Sequence, residues 1–219
     1  MDVVSSPNWE NLIGKLRIAG ENLPFVTKLA ERDRNAYRVL TSTMISLRTK
    51  DDVTASASER LFRRADNPAD MSALDESEIS DLIYPSGFYR TKAKHIKRSA
   101  ELLLKHFDGD VPKTREELMT LPGVGRKTAN LTLNLGHGID AICVDTHVHR
   151  ISNRLGWVQT GKPEDTEKEL AKKLPQRYWI EINTLLVFYG QRICRPISPL
   201  CSQCSISPSC PRIGVTKSR

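Results

Sequence analysis

Residues 121–129 read LPGVGRKTA and lie between two segments with helical periodicity. The two glycines, Gly123 and Gly125, can adopt backbone conformations that are closed to other residues. A tight turn followed by a helix N-terminus offers backbone N–H groups that can bind a phosphate oxygen. The stretch therefore predicts a hairpin of two helices that binds a nucleic-acid backbone without reading its sequence. The alternative is a glycine-containing turn that only packs two helices.

Apolar residues recur at helical spacing along most of the chain, and no segment has the period of two that a sheet requires. Thr114 and Glu117 form a capping box that opens a short helix ending near Leu121. The apolar residues sharing one helix face are Trp9, Leu12, Ile13 and Leu16 early in the chain, and Ile96, Ala100, Leu103, Leu104 and Phe107 later. Further helices are predicted over roughly 35–47, 51–63, 76–83, 126–135, 146–155, 164–173 and 178–193. The sequence thus predicts an all-α protein of about ten short helices.

The composition favours a soluble protein with a polyanionic partner. The 219 residues include 33 Lys and Arg against 26 Asp and Glu, which gives a formal net charge of +7 and an isoelectric point near 9.2. Residues 1–15 lack a continuous apolar core, and the longest apolar run, residues 185–189, is far too short to span a membrane. We therefore expect an intracellular protein of the cytoplasm or nucleoid, with no membrane partner.

A basic stretch runs through residues 90–105 and contains one acidic residue, Glu101. Its six basic residues are Arg90, Lys92, Lys94, Lys97, Arg98 and Lys105. Such a stretch forms either a solvated helix face or a stripe that faces phosphate groups. The sequence alone leaves both interpretations open.

Lys127 stands just inside the helix that follows the glycine turn. In one interpretation it is a point charge that binds phosphate. In the other, the helix dipole and partial burial both disfavour the ammonium form and leave some free amine. A free amine beside DNA can attack the C1′ atom of a sugar and form a Schiff base.

A carboxylate able to manage the proton and the positive charge on the sugar follows 18 residues later, at Asp145. Because Asp145 precedes a helical run, it also suits the N-cap position, and the two roles are compatible. His147 and His149 lie two residues apart and point to different faces of that helix, which argues against a zinc pair. Each is expected to be a polar residue that packs between helices.

The last 26 residues contain four of the five cysteines, Cys194, Cys201, Cys204 and Cys210. In a reducing compartment such a cluster binds metal rather than forming disulfides. Zinc sites of this size usually pair two C-x-x-C motifs and this chain has one, so the uneven spacing favours an iron–sulfur cluster over zinc. Four nearby prolines exclude a helix and predict a loop around the metal. The remaining cysteine, Cys143, is expected to be a buried apolar residue.

Together these motifs resemble those of the endonuclease III family of DNA glycosylases. The resemblance rests on LPGVGRKTAN at 121–130, VDTHVHRISNRLGW at 144–157 and the four clustered cysteines, in the family's order and with its 18-residue separation of lysine and aspartate. The segment YPSGFYRTK at 84–92 is similar to the eukaryotic thymine-glycol glycosylases. The resemblance covers nearly the whole chain, from the first helix to Cys210.

The resemblance implies two helical lobes with a DNA cleft between them. A six-helix barrel with the helix-hairpin-helix motif is expected over residues 29–139, and an iron–sulfur cluster domain over residues 1–28 and 140–219. The implied activity is that of a bifunctional DNA glycosylase and AP lyase of base excision repair. Its substrate would be double-stranded DNA that contains abasic sites or oxidised pyrimidines of the thymine glycol class, extruded from the duplex. The enzyme is expected to be a monomer.

The resemblance also assigns roles to individual residues. Lys127 corresponds to the nucleophile that displaces the base before β-elimination cuts the strand, and Asp145 to the catalytic carboxylate. The four clustered cysteines correspond to the ligands of a [4Fe–4S] cluster that is structural or redox-sensing. Phe88 stands where the family inserts an apolar wedge into the gap left by the extruded base, with core packing as the alternative. The residues expected to contact DNA are Arg48, Phe88, Leu121, Gly123, Gly125, Arg126, His147 and Arg195.

Two positions depart from the family pattern. Arg48 stands where relatives usually carry a glutamine that fills the gap and touches the orphaned base. Arginine can instead bind a guanine edge or a phosphate, so the opposite-base preference is open. The loop between Cys194 and Cys201 has only Arg195 where relatives are often rich in Lys and Arg, which predicts a weaker phosphate contact.

Three other functions compete with this one. A monofunctional mismatch glycosylase on the same scaffold would activate water, but such relatives generally lack a lysine at the position of Lys127. A non-catalytic DNA-binding module would bind phosphate with strong salt dependence and form no covalent intermediate. A zinc-stabilised structural protein is the third, and the colour of the purified protein would expose it.

Overall fold

The computed structural model describes residues 7–17 and 23–219, which form helices and loops with no strand. The α-helices in these ranges are α1 (Trp9–Arg17), α2 (Phe25–Asp33), α3 (Ala36–Ser46), α4 (Asp51–Arg64), α5 (Pro68–Ala73), α6 (Glu76–Ile83), α7 (Tyr89–Phe107), α8 (Arg115–Leu118), α9 (Arg126–Leu131), α10 (Thr146–Arg154), α11 (Pro163–Lys173) and α12 (Trp179–Arg192). The all-α prediction is confirmed. No helix in the described ranges has the length and hydrophobicity that a membrane span requires.

The chain divides into two compact units. The central unit is Pro24–Ala141 and contains α2–α9, while the terminal unit combines Ile142–Arg219 with the described residues that precede Pro24. Two of the eight α-helices of the central unit, α5 and α8, are short, and the other six are α2, α3, α4, α6, α7 and α9. The assignment of residues 29–139 and of residues 1–28 with 140–219 to two domains stays a prediction. Residues 1–6 and 18–22 of that assignment lie outside the described ranges.

Several predicted helix boundaries differ from the observed ones. Helices α2 and α5 were not predicted. The predicted helix over 126–135 is divided into α9 and a π-helical segment, Thr132–His137. The helix opened by the capping box ends at Leu118. The proline-rich loop, predicted to have no helix, contains two single 3₁₀ turns at Cys201–Gln203 and Ser207–Ser209, and a third such turn, Gln176–Tyr178, precedes α12.

The core of the central unit forms around α7. The residues of α7 that recur at helical spacing and are buried are Ala93, Ile96, Ala100 and Leu103. They pack with fully buried residues of the neighbouring helices, among them Ile45, Leu61, Ile79 and Ile83. The prediction that Leu104 belongs to this face is wrong, since its side chain is 40% exposed and Ala93 completes the face instead.

The terminal unit has its own core, to which α1 contributes. All four residues predicted for its apolar face are buried: Trp9, Leu12, Ile13 and Leu16. The Trp9 ring meets the Trp157 ring edge-on, with centroids 4.9 Å apart. The Arg17 guanidinium donates two hydrogen bonds, of 2.8 and 2.6 Å, to the Glu181 carboxylate of α12. Apolar contacts and this ion pair therefore attach α1 to the C-terminal part of the chain.

Alanine substitutions at two helical glycines, Gly14 and Gly136, distinguish the effect of helix propensity on stability from the effect of packing. A Cβ atom added at Gly136 would lie 2.9 Å from Ala36 Cα, whereas one added at Gly14 in α1 would meet nothing within 4 Å. We expect Gly136→Ala to destabilise the protein by about 1–3 kcal/mol through overpacking. Gly14→Ala should stabilise it by about 0.5–1 kcal/mol, because alanine favours the helix. Urea unfolding followed by circular dichroism measures both, and a stabilised Gly136→Ala protein would contradict this packing.

Candidate active site

The glycine turn connects α8 to α9 in the central unit. Leu121 and Val124 anchor it, because both side chains are buried in the core. The Val124 N–H donates to the Leu121 carbonyl at 3.1 Å, which closes the turn. Gly123 has a φ of +76°, and a Cβ atom there would lie 2.6 Å from Nδ1 of His95 in α7. Position 123 therefore requires glycine both for its conformation and for its close contact with α7.

Lys127 lies in the first turn of α9, which begins at Arg126 after the N-cap residue Gly125. The Ala129 N–H donates the first hydrogen bond of this helix to the Gly125 carbonyl, at 2.9 Å. The Lys127 side chain is half-buried, whereas residues 128–131 are fully inside the core. The lysine thus has the helix-terminal position and the partial burial that its sequence predicted.

Asp145 is the N-cap of α10 in the terminal unit, as predicted. Its Oδ1 atom accepts hydrogen bonds from the backbone N–H groups of His147, at 2.8 Å, and Val148, at 2.9 Å. The two bonds fix the carboxylate in one orientation at the N-terminus of α10. The side chain is half-buried. The cap therefore presents a carboxyl group that is held in place and partly accessible.

The two histidines of α10 pack against different neighbours, as expected from their spacing. His147 lies against α12, where a Cβ atom added at Gly190 would come within 2.1 Å of its Nδ1. His149 Nδ1 forms a 2.7 Å hydrogen bond with Thr166 Oγ1 of α11. The two rings therefore serve helix packing in two directions, and the DNA contact of His147 stays a prediction.

Arg48 and Phe88 are both exposed, and both have a left-handed backbone. Their φ angles are +53° and +57°, a region that bulky residues rarely occupy. The Arg48 guanidinium lies over the Phe88 ring, 5.6 Å from its centroid. The alternative of core packing for Phe88 is wrong, because 64% of its surface is exposed.

The basic stretch in α7 is neither uniformly solvated nor a continuous stripe. Lys92 is buried, with only 7% of its surface exposed, and burial lowers its pKa to about 8. Lys97 is half-buried and donates to the carbonyls of Ser72, at 3.2 Å, and Leu74, at 2.5 Å. The other four basic residues are exposed. Neither interpretation of the sequence therefore holds for Lys92 and Lys97, which bind carbonyl oxygens of their own unit.

The four clustered cysteines line one cavity in the terminal unit. All four are half-buried free thiols, and the apolar residues beside them are Ile151, Leu155, Ile193, Leu200 and Ile206. Burial raises the pKa of the Cys204 and Cys210 thiols, and the neighbouring cysteines raise both further. The fifth cysteine, Cys143, is buried in the core, as expected.

Two arginines of α10 hold the start of the cysteine loop. Arg154 Nη1 donates to Cys194 Sγ at 3.3 Å and to the Arg195 carbonyl at 2.7 Å, and its Nη2 donates to the Pro196 carbonyl at 2.7 Å. Arg150 Nη2 donates to the Cys194 carbonyl at 2.9 Å. Arg195 itself is exposed. These bonds fix the position of the first cysteine of the cluster, and no signal in the local sequence indicated them.

A glycine turn that connects α8 to α9 is the arrangement of a helix-hairpin-helix motif. Residues 41–176 match the family described as HhH-GPD superfamily base excision DNA repair protein. Endonuclease III of Thermotoga maritima is 46% identical over 82% of this chain and 84% of that protein. The chloroplastic endonuclease III homolog 2 of Arabidopsis thaliana is 42% identical over 93% of this chain, which spans 58% of that longer protein.

Two solved structures also resemble the chain. A non-covalent endonuclease III–DNA complex matches with a TM-score of 0.82 at 31% identity, covering 93% of this chain and 94% of that one. A trapped endonuclease III–DNA covalent intermediate matches with a TM-score of 0.78 at 31% identity, covering 94% and 97%. The chain belongs to the HhH-GPD superfamily of base excision DNA repair proteins. Within it, the chain is a DNA glycosylase and AP lyase of the endonuclease III type.

Two substitutions at Asp145 distinguish the effect of its capping hydrogen bonds from the effect of its carboxylate. Asp145→Ala removes both hydrogen bonds to α10 and is expected to lower the free energy of unfolding by about 1 kcal/mol. Asp145→Asn retains an oxygen that accepts the same bonds, so its free energy of unfolding should lie within roughly 0.5 kcal/mol of the unmodified protein. Urea titration measures both, and equal losses in the two variants would contradict the capping role.

Proposed function

We propose that Lys127 is the nucleophile of this enzyme and that oxidised pyrimidines in double-stranded DNA are its substrates. The observation that carries the proposal is the position of Lys127, half-buried in the first turn of α9 directly after the glycine hairpin. The likeness to a trapped covalent endonuclease III–DNA intermediate supports a mechanism with a covalent step. A monofunctional enzyme that activates water would not need an amine at this position.

The chemistry assigned to Lys127 requires a neutral amine. The amine nitrogen forms a bond to C1′ as the bond from C1′ to the base breaks, and the electron pair of that bond leaves with the base. Opening of the sugar ring yields an imine between the lysine and C1′. Loss of a C2′ proton then expels the 3′ phosphate and cuts the strand.

Asp145 is proposed as the carboxylate that stabilises the positive charge developing on the sugar and takes part in proton transfer. The two hydrogen bonds from the first turn of α10 support this role, because they hold the carboxylate oriented before substrate binds. Structural and chemical roles would thus be combined in one side chain.

We propose that several residues contact DNA, and their solvent exposure supports some of these contacts more than others. Arg48 and Phe88 are exposed and adjacent, which suits the filling of the gap left by an extruded base. The residues proposed to bind the phosphate backbone are Gly123, Gly125 and Arg126 in the hairpin, with His147 and Arg195 in the terminal unit. The Leu121 side chain is 2% exposed, so this residue could offer only its backbone. The thymine glycol class is proposed from the likeness of residues 84–92, and a monomer is proposed as the active form.

We further propose that the four clustered cysteines hold a [4Fe–4S] cluster. The donor set fits, because four thiols surround one cavity with apolar walls. The uneven spacing of the four cysteines, with one C-x-x-C motif rather than two, favours a cluster over zinc. Burial raises the pKa of the Cys204 and Cys210 thiols, and the positive charge of a bound metal would favour their thiolate forms. When bound, the cluster would cross-link the C-terminal loop and supply one-electron redox capacity.

The central test of the proposal is covalent trapping. The protein is incubated with a duplex that carries one thymine glycol, and sodium borohydride is added to reduce any imine. We expect a covalent protein–DNA adduct that is absent in Lys127→Ala and present in Lys97→Met, whose lysine donates to two carbonyl groups elsewhere in the same unit. Release of the base without an adduct would show that water is the nucleophile. If the protein releases no base and forms no adduct, either on thymine glycol or on an abasic site, the proposal is overturned.

The cluster is tested by colour and metal content. The purified protein is expected to be brown and to contain roughly four iron atoms per chain. Cys204→Ser should lose the colour and most of the iron, whereas Cys143→Ser should retain both, since Cys143 lies in the core away from the cavity. A colourless protein that contains zinc would contradict the cluster.

A further inference from the structure

The Lys92 ammonium donates three hydrogen bonds, all to one segment of the chain. Its Nζ donates to the Ile45 carbonyl at 2.6 Å, the Leu47 carbonyl at 2.7 Å and Thr49 Oγ1 at 2.8 Å. These acceptors lie at the end of α3 and in the turn that follows it. With its pKa near 8, the side chain is mainly an ammonium at neutral pH and has three protons to donate. None is left for a phosphate group, so the lysine acts on its own chain.

Thr49 extends this network to a second loop. Its Oγ1 atom also accepts a hydrogen bond from the Gly87 N–H, at 3.1 Å. At the same place the two backbones are in direct contact, because a Cβ atom added at Gly87 would lie 2.5 Å from the Arg48 carbonyl oxygen. The turn after α3 and the loop before α7 are therefore joined through one hydroxyl group, and Lys92 holds that hydroxyl.

Each of the two joined loops presents one exposed side chain in a strained conformation. Arg48 is flanked by Leu47 and Thr49, which accept hydrogen bonds from Lys92, while Phe88 follows Gly87 directly. Left-handed backbone angles in bulky residues persist only where the surrounding structure enforces them. The ammonium of Lys92 and the hydroxyl of Thr49 supply that constraint here. They set the guanidinium over the ring before any ligand binds.

We propose that Lys92 is a positioning residue that fixes Arg48 and Phe88 as one rigid pair, and that this rigidity sets the preference for the base opposite the lesion. The proposal rests on the proposed function, because it takes the pair to face DNA. A preorganised pair loses little conformational entropy on binding, so its hydrogen-bonding geometry can select one base over another. A guanidinium held in one place distinguishes bases by their acceptor edges, whereas a mobile one adapts to each of them. Lys92 would thus determine specificity without touching DNA.

The test measures affinity rather than chemistry. Duplexes carry a tetrahydrofuran abasic-site analogue opposite each of the four bases in turn, and their Kd values are measured for the unmodified protein and for Lys92→Met. We expect the ratio between the tightest and the weakest opposite base to fall by about fivefold or more in Lys92→Met. The fluorescence of a 2-aminopurine placed opposite the analogue should also become less dependent on protein binding, because the pair no longer holds one position.

Two further variants separate positioning from folding. Lys97→Met is the matched control, since Lys97 lies on the same helix and likewise donates to two carbonyl groups, but in the Ser72–Leu74 segment. It should leave the ratio of Kd values unchanged. Thr49→Val removes the shared hydroxyl while the buried ammonium stays in place, and it should reduce the ratio in the same direction as Lys92→Met. If Lys92→Met does not fold, Thr49→Val alone tests whether this network positions Arg48 and Phe88.

The outcomes distinguish this proposal from the proposed function. An unchanged ratio in Lys92→Met, or in Thr49→Val if the first variant does not fold, would overturn the role of Lys92 even if covalent trapping succeeds. An equal reduction in Lys97→Met would also overturn it, because the effect would then be one of general stability. A reduced ratio in a protein that forms no borohydride adduct would support the role of Lys92 while the proposed chemistry fails.

Discussion

The close contact between Gly123 and His95 determines where Lys127, the proposed nucleophile, lies. Gly123 has a conformation that disfavours any side chain, and its α-carbon approaches the imidazole so closely that a Cβ atom would lie 2.6 Å from Nδ1. This approach sets the path of the turn into α9, and the burial of Leu121 and Val124 on either side fixes it in the core. The first turn of α9, with Lys127, follows directly. The turn and its packing contact with α7 therefore fix where Lys127 leaves the backbone.

Local sequence signals predicted the features that depend on local physics. The apolar spacing in α1 and α7 identified buried faces, because a helix that is buried on one side must repeat every three to four residues. Asp145 could be recognised as a cap, because a short acidic side chain before a helical run satisfies backbone N–H groups two and three residues ahead. The glycine hairpin and the cysteine spacing were informative for the same reason, since both are short motifs.

The features that sequence reasoning missed depend on distant residues. The N-terminus of α2 has no cap of its own, and the Asp51 carboxylate accepts the Phe25 N–H from 26 residues away. Lys92 appeared only as one charge in a basic stretch, because its acceptors, at Ile45, Leu47 and Thr49, lie more than 40 residues earlier in the chain. Helix α5 is different, since Asn67 as cap and Pro68 as first helical residue are a known start signal that was interpreted as a turn.

The central claim is that the Lys127 amine forms the covalent bond to the sugar, and mass mapping of the trapped complex tests it most directly. The borohydride-reduced adduct is digested with nuclease and then with trypsin, and the sugar-derived mass is located by fragmentation. We expect this mass on the peptide of residues 127–150, because a modified Lys127 blocks cleavage at that position and the next trypsin site is Arg150. The same mass on another lysine or on the N-terminal amine would contradict it.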